Sequence, residues 1–228
     1  MKKIVLLSII FISLLCVGCS TSDADKFKKE YESLNNKKDK YGNIYRKVNI
    51  DKNNKIKYAT ASDIVKMIEN KETFAVYFGF KECPWCRSVT PTLINVVNDL
   101  DVDYLYYVDI KNIRDELKLK RDGSIYISKK GSKSYYKLLS LLDNVLDKYE
   151  IDNNGKKIDT LEKRIYAPNV ISIVSGKAVK LEEGVSNKQK KPNMHLTKNM
   201  IKETYNKFKC SLKCVVENKT VCTKDSAC

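Results

Sequence analysis

The chain is poor in histidine, and this scarcity limits the metal sites that it could build. Its 228 residues contain a single histidine, His195, which lies more than a hundred residues after the motif Cys83-Pro84-Trp85-Cys86. A zinc site based on that motif would need a second pair of ligands at a recognisable spacing, and the surroundings of His195 offer none. No metal and no other cofactor is therefore expected.

The N-terminal apolar run, residues 4–17, is too short to span a bilayer comfortably. It follows two lysines and has the length of the apolar region of a signal peptide. The run ends at Cys16-Val17-Gly18-Cys19, which resembles a bacterial lipobox, although Cys16 replaces the usual leucine. We therefore expect Cys19 to be the lipidated first mature residue, which would hold the protein on the extracytoplasmic face of the cell membrane. An uncleaved membrane anchor is the alternative.

The sequence has no dense basic block, although its net charge is +15. The lysines are spread from Lys26 to Lys224 without interleaved aromatic residues, so a nucleic-acid partner is not expected. Anionic lipid headgroups or cell-wall polymers would attract such a surface. A lysine excess of this kind also follows from the base composition of a genome, which explains part of the charge.

Cysteines are concentrated near the C-terminal end. Four of them lie in the last nineteen residues: Cys210, Cys214, Cys222 and Cys228. Disulfides persist outside the cytosol, and the even number predicts two structural disulfides with three possible connectivities. A zinc cluster of four thiolates is the alternative, although paired Cys-x-x-Cys ligands are missing.

The motif Cys83-Pro84-Trp85-Cys86 has the spacing of a redox pair at the start of a helix. The unpaired N–H groups and the positive end of the helix dipole stabilise a thiolate at the first cysteine. Cys83 is therefore the predicted attacking thiol, and Cys86 the thiol that resolves the mixed disulfide. A structural disulfide is the other interpretation, although so short a loop constrains the unfolded chain little.

The residues around the motif predict a strand before it and a helix after it. Residues 74–80 are apolar without polar alternation, as in a strand buried on both faces of a sheet. Apolar residues then recur at spacings of three and four from Val89 to Leu100, which predicts an amphipathic helix. Pro91 lies inside this helix and is expected to kink it.

This order resembles the thioredoxin superfamily, in which a proline follows the second cysteine by five residues, as Pro91 does here. The family also has a cis proline at the start of a later strand, facing the redox pair, and Pro168 in Tyr166-Ala167-Pro168 matches it. The resemblance implies an α/β fold with a mixed central sheet flanked by helices and a helical insertion before the proline strand. It also implies that Ala167 and Pro168 dock the substrate. Beside the cysteines, Pro84 and Trp85 are expected to contact it.

The chain departs from the superfamily at Tyr77 and resembles one of its branches in three motifs. Many thioredoxins carry a buried acid six residues before the first cysteine, but Tyr77 stands there, which disfavours a reductase-type proton relay. The closest similarity is to the thioredoxin-like bacteriocin transport accessory proteins of low-GC Gram-positive bacteria. It is carried by the Cys-Pro-Trp-Cys motif, by Tyr107-Val108-Asp109-Ile110 and by residues 162–168, and it covers about residues 58–209.

The expected organisation has four parts. They are a lipoprotein signal peptide at residues 1–18, a polar tether at 19–44, a thioredoxin-like domain at 45–209 and a Cys-rich tail at 210–228. Within the domain, helices are predicted over residues 112–120, 134–149 and 200–208.

Together these features predict a membrane-anchored extracytoplasmic thiol–disulfide oxidoreductase, with the oxidase or isomerase direction favoured. Its expected partners are an exported protein or peptide with cysteines and a redox partner in or outside the membrane. The alternative is a non-catalytic, thioredoxin-like binding or accessory lipoprotein for an exported peptide, in which the Cys83 and Cys86 pair is merely a disulfide.

Overall fold

The computed structural model of the protein describes residues 21–100 and 102–220, which form five helices and nine strands. The helices are α1 Asp23–Glu32, α2 Ala61–Glu69, α3 Pro84–Asp99, α4 Lys133–Leu141 and α5 Lys198–Val216. The strands are β1 Ile56–Tyr58, β2 Phe74–Gly79, β3 Leu105–Asp109, β4 Glu116–Leu119, β5 Ile125–Lys129, β6 Asp147–Asn153, β7 Lys156–Arg164, β8 Asn169–Val174 and β9 Lys177–Glu182. Each helix begins at a residue whose side chain accepts a backbone N–H from the first turn, as capping residues do.

A five-stranded sheet in the order β1-β3-β2-β8-β9 forms the centre of the fold. Strands β1, β3 and β2 are parallel, whereas β8 and β9 run antiparallel to their neighbours. All six residues of β2 are buried, which confirms the predicted central strand. The predicted fold class is also confirmed, since the mixed sheet and its flanking helices form a thioredoxin-like α/β fold.

The sheet is covered on both sides, and β2 contributes to both. Side chains of a strand alternate between faces, so Tyr77 packs with α1, α3 and α5, whereas Val76 and Phe78 pack with α2 and α4. We call these sides the α3 face and the α4 face. The redox motif begins α3, so it lies over the α3 face.

The N-terminal helix α1 is part of this packing, so the prediction of a polar tether over residues 19–44 is wrong for Asp23–Glu32. Phe27 and Tyr31 lie four residues apart, on one side of the helix, and both are fully buried. The Phe27 ring packs 4.9 Å from the ring of Tyr107 on β3, and Asp23 accepts the backbone N–H of Tyr58 at 3.0 Å. The segment is mostly charged, but its two aromatic side chains are enough to dock it.

The insertion between β3 and β8 contains two β-hairpins, β4–β5 and β6–β7, besides the helix α4. The helix predicted over residues 112–120 is wrong, because β4 lies there and pairs antiparallel with β5. Helix α4 ends at Leu141, and the last residues of the helix predicted to Tyr149 belong to β6. A buried salt bridge of 2.9 Å between Arg164 at the end of β7 and Asp115 before β4 joins the two hairpins.

Helix α5 continues eight residues beyond the predicted Phe208, so the proposed boundary of the tail at residue 210 cuts a helix. Phe208 and Leu212 are fully buried one turn apart, and the apolar contact with the sheet extends the helix to Val216. Among the described residues, no helix combines the length and the apolar composition needed to cross a membrane.

Candidate active site

The two thiols of the motif meet at the N-terminus of α3. Cys83 is the N-cap residue, and its Sγ accepts the backbone N–H of Cys86 at 3.2 Å. Pro84 occupies the first turn, where its missing N–H is no loss because these N–H groups have no partner within the helix. Both cysteines are free thiols in this structure, and both are buried.

The pKa of Cys83 is lowered from its ordinary value. The main cause is a hydrogen bond from the Cys86 thiol, which stabilises the Cys83 thiolate, and burial acts in the opposite direction. The backbone N–H groups of Cys86 and Trp85 and the positive charge of Arg114 lower the pKa further. Arg114 comes from the β3–β4 connection, and its guanidinium lies 5.2 Å from the Phe80 ring centroid.

The pKa of Cys86 is shifted in the opposite direction and lies well above its ordinary value. Burial is the largest cause, and the adjacent Cys83 raises it further, whereas a hydrogen bond with Tyr77 lowers it. Cys83 is therefore the more acidic thiol, and Cys86 stays protonated when Cys83 is already a thiolate.

The Ala167-Pro168 segment faces Cys83. The peptide bond between these residues is cis, and the carbonyl oxygen of Ala167 accepts a hydrogen bond from the Cys83 thiol at 3.2 Å. Ala167 is half-buried and Pro168 is buried at the start of β8. The structure thus brings together three residues predicted from the sequence, Cys83, Ala167 and Pro168, with Cys86 directly behind them.

The two residues between the cysteines differ in exposure. Pro84 is exposed, whereas Trp85 is half-buried and packs against the core of the α3 face. The carbonyl oxygen of Trp85 accepts a hydrogen bond from the Ser88 hydroxyl at 2.7 Å, which orders the first turn of α3. Both residues therefore have surface beside Cys83 that a substrate could contact.

A buried arginine behind the motif was not expected from the sequence. Arg87 is fully buried, and no carboxylate pairs with it among the described residues. Its guanidinium instead donates to the carbonyl oxygens of Tyr31 at 2.7 Å and Arg46 at 2.6 Å, and to Asn35 Oδ1 at 2.9 Å. Arg87 therefore fastens the N-terminal segment to the active-site helix. A charged residue next to Cys86 gives no local signal for such a role.

Hydroxyl groups lie on the inner side of Cys86. The Tyr77 hydroxyl is 3.0 Å from Thr90 Oγ1 and 3.1 Å from the Tyr31 hydroxyl, and Thr90 donates to the carbonyl oxygen of Cys86 at 2.7 Å. Burial raises the pKa values of Tyr31 and Tyr77 well above the ordinary value, so both hydroxyls stay protonated. From the sequence, Tyr77 was notable only because it replaces an acid.

The remaining predicted residues lie away from this pair. Cys210 and Cys214 are in α5, and each is disulfide-bonded. The other two tail cysteines, Cys222 and Cys228, and the predicted lipidation site Cys19 lie outside the described residues. Within residues 21–100 and 102–220, no group of three or more His, Cys, Asp or Glu side chains is arranged to hold a metal ion.

No protein-family model matches this chain, and no curated protein matches it. The geometry of the motif within the thioredoxin-like fold, and the chemistry that it permits, are therefore the basis for a function.

Proposed function

We propose that the protein is a thiol–disulfide oxidoreductase that acts on exported proteins or peptides with cysteines. The observation that carries the proposal is the arrangement of Cys83. It is a free thiol at a helix N-cap, it accepts the Cys86 N–H at 3.2 Å, and its pKa is lowered while that of Cys86 is raised. Such a separation of two neighbouring pKa values suits one thiol for attack and the other for delayed resolution.

The exchange reaction follows from these roles. The Cys83 thiolate attacks one sulfur of a client disulfide, a bond forms between the two sulfurs, and the client's other sulfur leaves as a thiolate. Cys86 then loses its proton and attacks the Cys83 sulfur, which releases the first client sulfur. In the opposite direction, the oxidised Cys83–Cys86 pair accepts two electrons from a client dithiol and leaves a client disulfide.

Thiolate stabilisation at Cys83 supports the oxidase or isomerase direction. A lowered pKa stabilises the reduced pair relative to its disulfide, which makes the disulfide a stronger oxidant. Net oxidation of clients then requires a partner, in or outside the membrane, that removes two electrons from the reduced pair.

The surroundings of Cys83 suit an extended client segment. The Ala167 backbone lies 3.2 Å from the Cys83 sulfur, so a client strand that paired there would bring its own cysteine to the thiol. Pro84 and Trp85 would contact the client on the other side of the sulfur. The lipobox-like sequence before Cys19 supports a location on the extracytoplasmic membrane surface, where exported clients are found.

Trapping the covalent intermediate tests the proposal. Cys86→Ser removes the resolving thiol, so we expect non-reducing gels of cells that make this variant to show high-mass adducts containing exported proteins. Reduction should dissolve these adducts. The Cys83→Ser/Cys86→Ser double variant is the matched control and should form none.

The decisive negative result is a Cys86→Ser variant that is exported and folded but forms no adducts. That outcome would favour the binding or accessory alternative, in which the pair is not a catalyst. Adducts that persist in the double variant would instead point to the tail cysteines.

A further inference from the structure

A directed chain of hydrogen bonds runs through the hydroxyl groups beneath Cys86. A hydroxyl has one hydrogen to donate, and a carbonyl oxygen can only accept. Thr90 donates its single hydrogen to the Cys86 carbonyl oxygen, so Tyr77 must donate to Thr90 across their 3.0 Å contact. Tyr31 must then donate to Tyr77 across their 3.1 Å contact. The chain therefore runs from Tyr31 through Tyr77 and Thr90 to the backbone of Cys86.

This direction gives Tyr77 two alternative acceptors. Its hydroxyl is fully buried 3.0 Å from Thr90 Oγ1, in the same buried cluster as the Cys86 side chain, and it keeps its hydrogen because burial raises its pKa. A hydrogen bond with Tyr77 also lowers the pKa of Cys86, so the Cys86 sulfur is the second acceptor. While Cys86 is a thiol, Thr90 is the better acceptor. When Cys86 becomes a thiolate, a hydrogen bond to the charged sulfur is stronger than one to a neutral hydroxyl.

Besides Tyr77, the backbone of Phe80 lowers the pKa of Cys86 through a hydrogen bond. The titratable or charged groups on the elements packed against it are Cys83 and Arg87 on α3, Tyr77 on β2, Tyr31 on α1 and Tyr107 on β3. The Arg87 guanidinium is occupied with three oxygen atoms of the N-terminal segment. Helix α5 presents apolar side chains such as Phe208 and Leu212 to this side of the core.

We propose that Tyr77 acts as a hydrogen-bond switch for the resolving thiol, turning its hydroxyl hydrogen from Thr90 Oγ1 to Cys86 Sγ when Cys86 ionises. This inference rests on the proposed thiol–disulfide exchange and assigns the step at which the switch acts. Cys86 gives up its proton, the Cys86–Cys83 bond forms, the bond from Cys83 to the client sulfur breaks, and the client sulfur leaves with the electron pair and takes up one proton. Tyr77 keeps its own hydrogen throughout.

Tyr31 is a positioning residue for this switch. Its hydroxyl donates to Tyr77, which leaves the Tyr77 hydrogen free to point toward Thr90 or Cys86. Its backbone carbonyl is held by Arg87 at 2.7 Å, so the residue after Cys86 fixes the helix that supplies Tyr31. The N-terminal segment thereby becomes part of the resolving machinery.

The first test measures ionisation of Cys86 without any client. In a Cys83→Ser background, alkylation of Cys86 by iodoacetamide is followed across pH and assigned by peptide mass spectrometry. Tyr77→Phe removes only the hydroxyl, and the alkylation midpoint should move upward by about one pH unit, as expected for loss of one hydrogen bond to a charged group. Tyr31→Phe should produce a smaller shift in the same direction.

Tyr107→Phe is the matched control. Its ring lies 5.5 Å from that of Tyr77 in the same buried cluster, but its hydroxyl makes no hydrogen bond with Thr90 or Cys86 and affects the chain only through Tyr31. Its alkylation midpoint should move less than that of Tyr31→Phe. An unchanged midpoint in Tyr77→Phe, or an equal shift in Tyr107→Phe, would overturn the proposal. Near-UV circular dichroism of each variant shows whether the core has kept its packing.

The second test isolates the resolving step with 5,5′-dithiobis(2-nitrobenzoate). The reduced pair releases one thionitrobenzoate when Cys83 attacks the reagent and a second when Cys86 resolves the mixed disulfide. Tyr77→Phe should slow the second release about three- to fourfold, because a tenfold smaller thiolate fraction is partly offset by a more nucleophilic thiolate, and leave the first release unchanged. Equal slowing of both would indicate a structural role and overturn the proposal.

Together with the adduct experiment in cells, these two tests distinguish a failure of the switch from a failure of the proposed function. If no client adducts form in cells but the Cys86 midpoint still depends on Tyr77, the switch exists and the exported-client function fails. If adducts form and Tyr77→Phe leaves both the midpoint and the second release unchanged, the function stands and the switch is refuted.

Discussion

The two faces of the central sheet are built from the same strands but differ in chemistry. The α3 face buries two thiols, the hydroxyl chain of Tyr31, Tyr77 and Thr90, and the guanidinium of Arg87. The α4 face is lined mostly by aliphatic side chains, such as Val76 on β2 and Leu138 on α4. Adjacent residues of β2 therefore contribute to two different environments.

The two faces therefore have different roles in the same fold. Burying apolar area stabilises the domain on both faces, but only the α3 face holds polar groups whose hydrogen bonds change when a thiol ionises. Substitutions on the α4 face should therefore alter stability alone, whereas substitutions on the α3 face should alter thiol chemistry as well.

The largest expected effect of a substitution is a loss of stability on the α4 face. Leu138→Ala truncates a fully buried side chain on the α4 face and should lower the free energy of unfolding by about 2–5 kcal/mol. Urea denaturation measures this loss. Leu139→Ala, at a half-buried neighbour, is the matched control and should cost less. A change in the pH profile of Cys83 alkylation in folded Leu138→Ala would contradict the division between the faces.

A smaller loss of stability, with a change in mobility, is expected on the α3 face. Arg87→Lys keeps the charge but not the planar fork that reaches Tyr31, Arg46 and Asn35, so the free energy of unfolding should fall by about 1–3 kcal/mol. Hydrogen exchange should accelerate in α1.

Arg121→Lys, at an exposed position between β4 and β5, serves as the control for the arginine experiment and should change neither quantity. If α1 exchanges no faster in Arg87→Lys than in the unaltered protein, then Arg87 does not fasten the N-terminal segment.

The smallest effect, about 1 kcal/mol per pH unit, is the pH dependence of stability, and the two thiols should contribute with opposite sign. Folding lowers the pKa of Cys83, so this thiol adds to the free energy of unfolding as pH rises toward the unfolded value of roughly 8.5, and the addition is lost at lower pH. Folding raises the pKa of Cys86, so the free energy of unfolding falls as pH rises above roughly 8.5 and does not change through this thiol below that value.

Single-thiol variants separate these contributions without a reductant. Relative to the Cys83→Ser/Cys86→Ser double variant, Cys86→Ser should gain stability with rising pH up to about 8.5, and Cys83→Ser should lose it between about pH 8.5 and 10. Thermal denaturation over this range is the measurement. If stability changes with pH in the same way in all three variants, folding does not separate the two thiol pKa values.

Local patterns predicted the parts of the fold that depend on neighbouring residues. The uninterrupted apolar run of β2, the Cys83 motif and the proline before β8 each carry their signal within about ten residues. The βαβ order then implied the parallel pairing of β2 and β3, which the structure has.

The features that the sequence did not reveal depend on distant contacts. Phe27 and Tyr31 are two aromatic residues in a charged segment. Their packing beside Tyr107, which lies far away in the sequence, is what docks this segment as a helix. Arg87 finds its acceptors as many as 56 residues away, and no local pattern specifies them. The helix predicted over residues 112–120 is wrong for the same reason. Strand β4 forms there because β5 supplies its hydrogen-bond partners.

The docked α1 also limits how far from a bilayer the domain could be held. If Cys19 carries the lipid, only three residues separate it from Asp23, the first residue of α1, and a fully extended chain spans at most about 14 Å across that interval. The redox pair could then sweep only a shallow layer above the bilayer. Clients would have to be caught as they emerge at the membrane surface, before they diffuse into the space beyond.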